Sequence, residues 1–598
     1  MSTTVSGAAK IADVTGLSTL QNGETYIIKN YAVEGDGGGG TFRVEDASAH
    51  GTPDDGLVFS TNTTGSVLVR LWDEINMYVD WYNPDASNCQ PQLVKALAAL
   101  DDVGGGRLIF GARTYTATQE WLIQDIGNIH ILGQGQGVTI FLANHTAQDS
   151  TGIRFVATAP TIKNITFSDM TVEGPLNGNA TVWGLILFQD NFENLLFERL
   201  TLRRARRYGI RSSLSVDGTT KRVTVRDCNF EEINSFEMGQ NAGGALTVFG
   251  LYNVTVDNCD FVATGTINTH HAVYMNAARD VTITNCRFEG KAARIHQYSD
   301  ISENILISGN RFRGVENITL HDTRGGQFSE NVIYDSTFTI RADSFEVSDN
   351  FCLYSEGFSA YLPYAIPFSV GNSNALLIED NRILYEDWET GGEYWIQVSS
   401  PTPVVIRNNV VRSKNGIYFS AGTGHVVEGN NMTTSYGEAL INTVNSASGI
   451  ISRNNYFENG KHGTLRVFWG VGTGHTSHED TFKIVGDGVG QFDAGWTLSA
   501  ARFVDSPVRT LGVNEATPSI IGGGTFKTAN TAATTITDFL RGAEGGRITI
   551  LFTESNTTVQ HGTDIKLAGG ANFVGTADDI LQLVHIDGVW YEESRSVN

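Results

Sequence analysis

Cysteine and long apolar stretches are scarce in this sequence, and each shortage excludes a class of protein. The five cysteines are an odd number without the spacing of a disulfide framework or a zinc site, so neither is expected. The pair His270-His271 lacks a third ligand at metal-binding spacing, and no metal or cofactor is predicted. No stretch reaches the roughly 18 apolar residues of a membrane-spanning helix, so membrane insertion is not expected.

Two further shortages concern targeting and charge. Met1–Val5 does not begin a basic-then-apolar secretory signal, so the product is expected to stay in the cytosol, or to leave by lysis or inside a particle. Lys and Arg number 41 against 65 Asp and Glu, a formal charge of −24. This balance argues against nucleic acid as a partner. The basic cluster Arg203–Arg207 can reverse the field locally, so an anionic glycan stays possible as a ligand.

What the sequence does contain is a repeated phrase between Lys163 and Phe457. Each copy has alternating apolar residues, a polar pair, then Asn or Cys, and a further apolar residue two positions on, as in Val223–Phe230 and Val404–Val411. The copies follow one another every 19 to 31 residues or so. Aligned on the position after the polar pair, they give Met170, Leu200, Cys228, Cys259, Cys286, Asn310, Asn331, Asn350, Asn381, Asn409, Asn430 and Asn454.

The repeat predicts a stack of strands. Alternation indicates strands with one buried face, and repetition at variable spacing indicates coils whose extra residues form loops. A helical solenoid does not fit, because no apolar run of helical period fills the gaps. Identical side chains about 4.8 Å apart are expected to form an asparagine ladder. The pattern resembles the right-handed parallel β-helix of the pectate-lyase-like superfamily, which predicts an all-β fold.

Four segments are predicted. Residues 1–75 form an N-terminal β module with Gly35–Gly40 as a flexible turn, and Tyr31–Val33, Phe42 and Leu68–Trp72 resemble the head region of phage tailspike proteins. Residues 76–475 form the β-helix, entered through a capping helix from Gln90 to Leu100 whose apolar residues are at 94, 97 and 100. Residues 476–514 are a connector. Residues 515–598 form a C-terminal β module for trimerisation or carbohydrate binding.

A candidate catalytic cluster lies on a second strand that precedes each ladder phrase. If Ile295, Leu320 and Ile340 face inward, their neighbours stand outward in one column. An array of His and Arg beside carboxylates can hold a sugar and move protons. The predicted catalytic residues are Asp322, Asp343, His296, His321 and Arg341, with the two aspartates as acid and base or nucleophile.

Aromatic residues supply the predicted sugar-binding platforms, since exposed rings stack on the apolar faces of sugars. They are Tyr274, Tyr298, Trp388, Tyr394 and Trp395. Packing between subunits is the alternative role for the aromatics between residues 351 and 400. Four carboxylates in that segment are reserve candidates for catalysis: Glu386, Asp387, Glu389 and Glu393.

The resemblance implies a homotrimeric bacteriophage tailspike, a virion protein joined to the phage tail or baseplate through its N-terminal region. Such proteins bind and depolymerise a capsule, exopolysaccharide or O-antigen at the host surface. Glycosidic hydrolysis is the favoured reaction. A polysaccharide lyase of similar fold is one alternative, and it needs a uronic acid, a base and a neutralising Arg or Ca²⁺. A receptor-binding fibre that does not cut its glycan is the other.

Overall fold

The computed structural model describes most of the chain as two units, Met1–Asn310 and Arg311–Asn598. The described residues are 6–145, 150–175, 182–212, 220–233, 243–263, 270–291, 293–297, 300–316, 318–355, 368–371, 373–385, 394–434, 441–443, 447–459, 465–470, 473–484, 490–492, 496–499, 502–504, 508–520, 524–542 and 545–598.

The first unit opens with a small β module. Its five-stranded sheet has the order Ser6–Lys10, Thr25–Asn30, Gly40–Asp46, Ser66–Arg70 and Val58–Ser60. The helix Ile11–Thr15 and the 3-10 turns Ala47–Ala49 and Val79–Tyr82 accompany the sheet. Phe42, Val44 and Leu68 are among the buried residues of its core.

The glycine run in this module is packed, and the prediction of a flexible turn is wrong. A Cβ on Gly39 would lie 2.2 Å from the carbonyl oxygen of Lys29, so only glycine allows this approach. The buried Arg70 donates hydrogen bonds to the carbonyl oxygens of Gly38, Gly39 and Gly56 at 2.9, 2.6 and 2.9 Å. The run therefore supplies acceptors for a buried guanidinium.

The capping helix spans Gln90–Asp102. Leu93, Ala96, Leu97 and Leu100 are its buried residues. Val94 is 52% exposed, so the prediction that it lies on the apolar face is wrong by one position.

After the helix, each unit is built of coils with up to three strands, and strands of successive coils pair in parallel. We call the sheets of first, second and third strands A, B and C. In the first unit, Ser150–Glu173 and Val182–Arg203 bend through all three. Sheet A also contains Trp121–Gln124, Tyr208–Ser212, Gly243–Phe249, His270–Asn276 and Arg294–Gln297; sheet B contains Asn76–Tyr78, Gly106–Ile109, Ile129–Leu132, Lys221–Arg226, Tyr252–Asp257, Arg279–Thr284 and Ser302–Ser308; sheet C contains Thr114–Ala117, Ile140–Ala143, Asn229–Glu231, Asp260–Val262 and Arg287–Glu289.

The second unit repeats this arrangement. Ile318–Ser329 and Phe338–Ser348 each pass through sheets A and B. Sheet A also contains Phe368–Val370, Ile396–Val398, Ile417–Phe419, Ile441–Thr443, Leu465–Gly470 and Gly490–Phe492; sheet B contains Leu376–Glu379, Val404–Arg407, Val426–Glu428, Ile451–Arg453, His475–His478 and Trp496–Ser499; sheet C contains Arg311–Arg313, Val332–Tyr334, Phe351–Tyr354, Arg382–Tyr385, Val410–Ser413, Asn431–Thr434, Tyr456–Asn459, Thr481–Ile484 and Arg502–Val504; Gly422–Thr423 pairs with Ala447–Ser448. The all-β prediction is confirmed.

The asparagine ladder is confirmed in the second unit. The backbone N–H and Nδ2 of Asn350 both donate to Oδ1 of Asn381, at 3.1 and 2.9 Å. Asn381, Asn409 and Asn430 repeat the same pair of bonds toward the next coil. The residue before each of Asn350, Asn381, Asn409 and Asn430 adopts positive φ, which explains the Asp, Asn or Gly found there.

The ladder differs from the prediction at its C-terminal end. Asn454 has a φ of +54° and occupies the turn position, and the buried Asn455 is the ladder residue that accepts from Asn430. Asn455 in turn donates to Asp480, whose carboxylate also accepts from the hydroxyls of Ser452 and Ser477. The β-helix continues to Val504, so the predicted connector at 476–514 is wrong for most of its length.

The second unit ends in another β module. One sheet has the order Arg509–Thr510, Thr525–Lys527, Arg547–Leu551, Ile580–Ile586, Val589–Ser596 and Ile565–Lys566, and another has Thr534–Ile536, Thr557–Val559 and Phe573–Val574. A 3-10 turn spans Ala568–Gly570. Phe526, Ile550, Leu581 and Trp590 lie in its own apolar core, separate from the ladder.

Candidate functional site

In the second unit, His321 and Arg341 occupy paired positions on neighbouring coils of sheet A. Leu320 and Ile340, which precede them, are buried in the core, so both polar side chains point outward. Backbones of paired strands lie about 4.8 Å apart, which brings the imidazole and the guanidinium into electrostatic contact.

The environment of His321 keeps its ring neutral. Burial and the charge of Arg341 lower the pKa of His321, and Asp322 only partly opposes them. The ring's Nε2 atom is buried and has no hydrogen-bond partner in the described part of the chain. A neutral imidazole can accept a proton at a nitrogen that reaches the surface.

Arg341 is exposed and lies against a glycine. A Cβ on Gly371, in the next coil, would be 2.5 Å from Cγ and 2.7 Å from Nε of Arg341. Only glycine leaves room for the arginine side chain in this position. No carboxylate among the described residues forms an ion pair with Arg341. Its guanidinium is therefore available to an anion.

Asp322 and Asp343 lie at the end of the same strand segments. Asp322 has a φ of +51°, and the pairing shifts register between His321 and Thr323, so Asp322 is the extra residue of a β-bulge. Asp343 pairs with Arg324 on one side and forms a bridge to Asn374 on the other. Both aspartates are exposed, and their catalytic roles stay predictions.

In the first unit, Tyr274 and His296 also occupy paired outward positions of sheet A. Their rings are 5.6 Å apart, and the ring of His271 stacks on both, at 4.8 Å from Tyr274 and 4.5 Å from His296. His271 lies in the strand His270–Asn276, on the coil before His296. The proposed roles of His296 in catalysis and Tyr274 in binding are not tested by these contacts.

The same column of the first unit contains a residue that the sequence analysis did not select. Arg211 pairs with Thr247, which pairs with Tyr274. Its signal was present, since Ile210-Arg211 is the same apolar-then-basic pair as Ile340-Arg341.

The prediction that Tyr394 and Trp395 bind sugar through exposed rings is wrong. Trp395 is 0% exposed, so its ring is part of the core and cannot stack on a sugar. Tyr394 is 7% exposed, stacks on Tyr418 and accepts a hydrogen bond from Asn442 through its hydroxyl. The remaining predicted residues lie outside the described residues: Tyr298, Glu386, Asp387, Trp388, Glu389 and Glu393.

Metal ligation finds no support in the described ranges. They contain no group of three or more His, Cys, Asp or Glu side chains arranged to hold a metal ion. Cys228, Cys259 and Cys286 are buried on successive coils. Burial raises the pKa of the Cys228 thiol, and a hydrogen bond with Cys259, together with burial, raises the pKa of the Cys286 thiol. Among the described helices, none is long and apolar enough to cross a membrane.

A polar groove of about 490 Å³ runs along sheet B of the first unit. Thr224, Thr255 and Thr282 form its floor on successive coils, and Arg222, Asn253, Asp280 and Asn304 line its edge. It contains no aromatic side chain and offers only hydroxyls, amides and charged groups.

Comparison with known proteins agrees with the fold. The family model described as "Right handed beta helix region" matches residues 213–357, so the β-helix is right-handed as predicted. No match was found among curated proteins.

Among solved structures, the chain is similar to the tailspike protein of Acinetobacter baumannii phage AM24, with 13% identity over 71% of this chain and 64% of that one, and a TM-score of 0.36. It is similar to the Dettilon tailspike protein, with 12% identity over 64% of this chain and 66% of that one, and a TM-score of 0.39. The match thus spans less than two thirds of each tailspike. A third similar structure is the A-module of the Azotobacter vinelandii mannuronan C-5 epimerase AlgE6, with 12% identity, 72% and 100% coverage and a TM-score of 0.29.

Proposed function

We propose that this chain is a tailspike-type depolymerase of a bacterial surface polysaccharide, with its catalytic centre at His321, Arg341, Asp322 and Asp343. The observation that carries this proposal is the pairing of His321 with Arg341. A neutral imidazole with an unused nitrogen lies beside a guanidinium that has no carboxylate partner among the described residues. A proton acceptor next to an anion-binding group is a catalytic arrangement, whereas a structural arginine on such a surface is usually paired.

This pairing favours elimination over the hydrolysis expected from the sequence. A glycosidase uses a general acid that usually sits in an apolar pocket, and both aspartates are exposed. A lyase needs a base and a cation for the uronate carboxylate, and His321 and Arg341 supply both. Hydrolysis by Asp322 and Asp343 stays the second candidate, because the bulge places Asp322 at the edge of the same surface.

In the elimination, Arg341 binds the carboxylate of a uronic acid residue and offsets the charge that builds up on it. His321 takes the proton from C5, and the electron pair of that C–H bond forms the C4=C5 double bond. The C4–O glycosidic bond breaks, and the leaving oxygen takes a proton from water. The products are a new non-reducing end carrying an unsaturated uronate and a new reducing end.

The test is to incubate the full chain with a panel of purified capsular, exopolysaccharide and O-antigen preparations. New reducing ends report cutting, and ultraviolet absorbance of the conjugated double bond reports elimination. We expect both signals, and His321→Ala and Arg341→Ala to lower turnover at least about 100-fold. Matched controls are His478→Ala and Arg453→Ala, which alter an exposed histidine and an ion-paired arginine of the same unit.

Other outcomes identify the alternatives. New reducing ends without the absorbance would indicate hydrolysis. If Asp322→Asn or Asp343→Asn abolished these reducing ends, the hydrolysis would occur at the proposed catalytic centre. Binding of a polysaccharide without any cutting would leave the receptor-binding fibre. We further propose, from the sequence resemblance alone, that the protein acts as a homotrimer on the virion and that the N-terminal module joins it to the phage tail or baseplate.

A further inference from the structure

Arg211 is a partly buried cation on the outward face of sheet A in the first unit. It lies in the strand Tyr208–Ser212, and its guanidinium carbon is 4.6 Å from the ring centroid of Tyr208. Its Nε atom is buried and has no hydrogen-bond partner among the residues that the structure describes. Within the described ranges, no carboxylate pairs with it.

Other arginines of this unit show that pairing is the rule here. Arg199 pairs with Asp169 and Glu198, Arg226 with Glu198, and Arg287 with Asp260 and Glu289. Arg211 differs from them in lying half-buried without an anion.

The surroundings of Arg211 add positive charge and aromatic surface. Arg207 packs over the ring of Trp183 at 4.5 Å and over that of Tyr208 at 5.7 Å. Burial and the charge of Arg207 lower the pKa of Arg211, although a guanidinium keeps its proton at neutral pH. A desolvated cation beside another cation is costly, and an anion bound there removes that cost.

Two coils further along sheet A, a group of stacked rings faces the same side. Thr247 pairs with Arg211 on one neighbouring strand and with Tyr274 on the other. The ring of Tyr274 stacks on that of His271. Paired strands are about 4.8 Å apart, so two coils separate the guanidinium and the phenol by roughly 10 Å at the backbone. Gly244 and Thr247 are the intervening residues, and both are small and buried. Arg211 and Tyr274 each keep part of their surface exposed.

We infer that Arg211, on its Tyr208 support, binds the carboxylate of an acidic sugar residue, and that Tyr274 stacks on a neighbouring sugar of the same chain. A guanidinium fork matches a carboxylate, and an aromatic ring matches the apolar face of a pyranose. The substrate class is therefore an acidic polysaccharide. The inference rests on the proposed function only in taking the ligand to be a polysaccharide.

The experiment compares each acidic polysaccharide with its own carboxyl-reduced derivative, in which the acid is converted to a neutral sugar. Binding to a panel of uronate-containing capsular polysaccharides is measured on the full chain carrying His321→Ala, so that cutting does not alter the ligand. We expect carboxyl reduction to weaken binding by roughly 10- to 100-fold, the range of a hydrogen bond to a charged group. Arg211→Gln in the same background should reduce this preference to the part that Arg341 contributes.

Two further variants separate the role of Arg211 from general charge and from folding. Arg211→Lys keeps the charge and should keep a preference for the native polysaccharide. Arg287→Gln removes the same charge at a paired site and should leave the preference unchanged. Equal binding of native and reduced forms by the His321→Ala background, or no binding to any acidic member of the panel, would overturn the inference. So would a preference that Arg211→Gln leaves undiminished.

The outcomes for the two proposals are distinct. Carboxyl-dependent binding that needs Arg211, without cutting by the parental chain, would support this subsite and refute the depolymerase. Elimination by the parental chain, together with an undiminished preference for native polysaccharide in Arg211→Gln, would support the depolymerase and refute this subsite.

Discussion

Replacing Asn350 by leucine tests whether the ladder stabilises the second unit. Oδ1 of Asn350 accepts from the backbone N–H and from Nδ2 of Asn331, both at 3.0 Å. Its Nδ2 donates to the carbonyl oxygen of Phe328 and to Oδ1 of Asn381, both at 2.9 Å. Leucine has a similar volume but can accept or donate none of these four bonds. Two buried donors on Asn331 then lose their acceptor.

The expected loss follows from the acceptor that Asn331 loses. A buried donor that loses its acceptor costs about 1–3 kcal/mol, so Asn350→Leu should lower the free energy of unfolding by at least about 1–3 kcal/mol. The lost hydrogen bonds to Phe328 and Asn381 also destabilise the fold. They leave acceptors without a donor, and a buried acceptor tolerates this better than a buried donor tolerates the loss of its acceptor. We expect a lower thermal midpoint at a fixed scan rate and faster hydrogen exchange of the Asn331 amide.

The control is Asn431→Leu, the same substitution at an exposed position of the strand Asn431–Thr434. Surface substitutions of this kind usually change stability by no more than about 0.5 kcal/mol. If Asn350→Leu lowered the midpoint no more than Asn431→Leu, the reasoning that the ladder bonds stabilise the fold would be refuted.

Four other predictions concern charge, catalysis and assembly. Burial raises the pKa of Asp480, so the contribution of this carboxyl group to stability is greatest below the unfolded pKa of about 3.9 and is lost as pH rises through the folded pKa. Asp480→Asn should therefore raise the thermal midpoint at neutral pH but not at low pH. An equal effect at both pH values would contradict this. Because the pKa of His321 is lowered, the acidic limb of the pH profile of kcat/KM should lie below about pH 6.5. Arg341→Gln should move this limb to higher pH, because it removes the positive charge that lowers the pKa. A limb that does not move would show that another group titrates. Gly371→Ala should displace Arg341 and lower turnover while Gly51→Ala, which meets no atom within 4 Å, should not; equal turnover would show that the position of Arg341 is unimportant. Light scattering should give about three times the 64.9 kDa chain mass, and a monomer at micromolar concentration would contradict the trimer.

The sequence predicted the ladder because its chemistry repeats at short range. A left-handed turn residue followed by an inward amide leaves the same two-residue pattern in each coil from Asn310 to Asn430. The pattern was misplaced at Asn454, since two adjacent asparagines fit it equally. It was missed at Asp480, because a carboxylate usually indicates a surface position. Here Asn455, Ser452 and Ser477 donate to that carboxylate, and the sequence cannot show those donors gathering around it.

The aromatic residues show a different limit. Composition indicated that the segment around residue 395 is rich in rings and carboxylates, but side-chain direction depends on the coil that follows. Trp395 precedes the strand Ile396–Val398 and is fully buried, whereas Tyr418 in the next coil keeps some exposure. A ring that packs in the core and a ring that binds sugar have the same local sequence signal.

Sheet A of the first unit explains why its outward surface could be predicted only in part. Strict alternation places residues three apart on opposite faces, so it separates His271 from Tyr274. The structure instead buries two consecutive residues, Ala272 and Val273, and this irregularity returns both rings to one face, 4.8 Å apart. The preceding coil repeats it, with Ala245 and Leu246 both buried. Apolar-then-basic pairs could identify His296, because it lies after this irregularity. They could identify Arg341 in the second unit, because its strand pairs without a register shift as far as that residue. The residues before the irregularity, including the Tyr208 ring that supports Arg211, could be placed only by the structure.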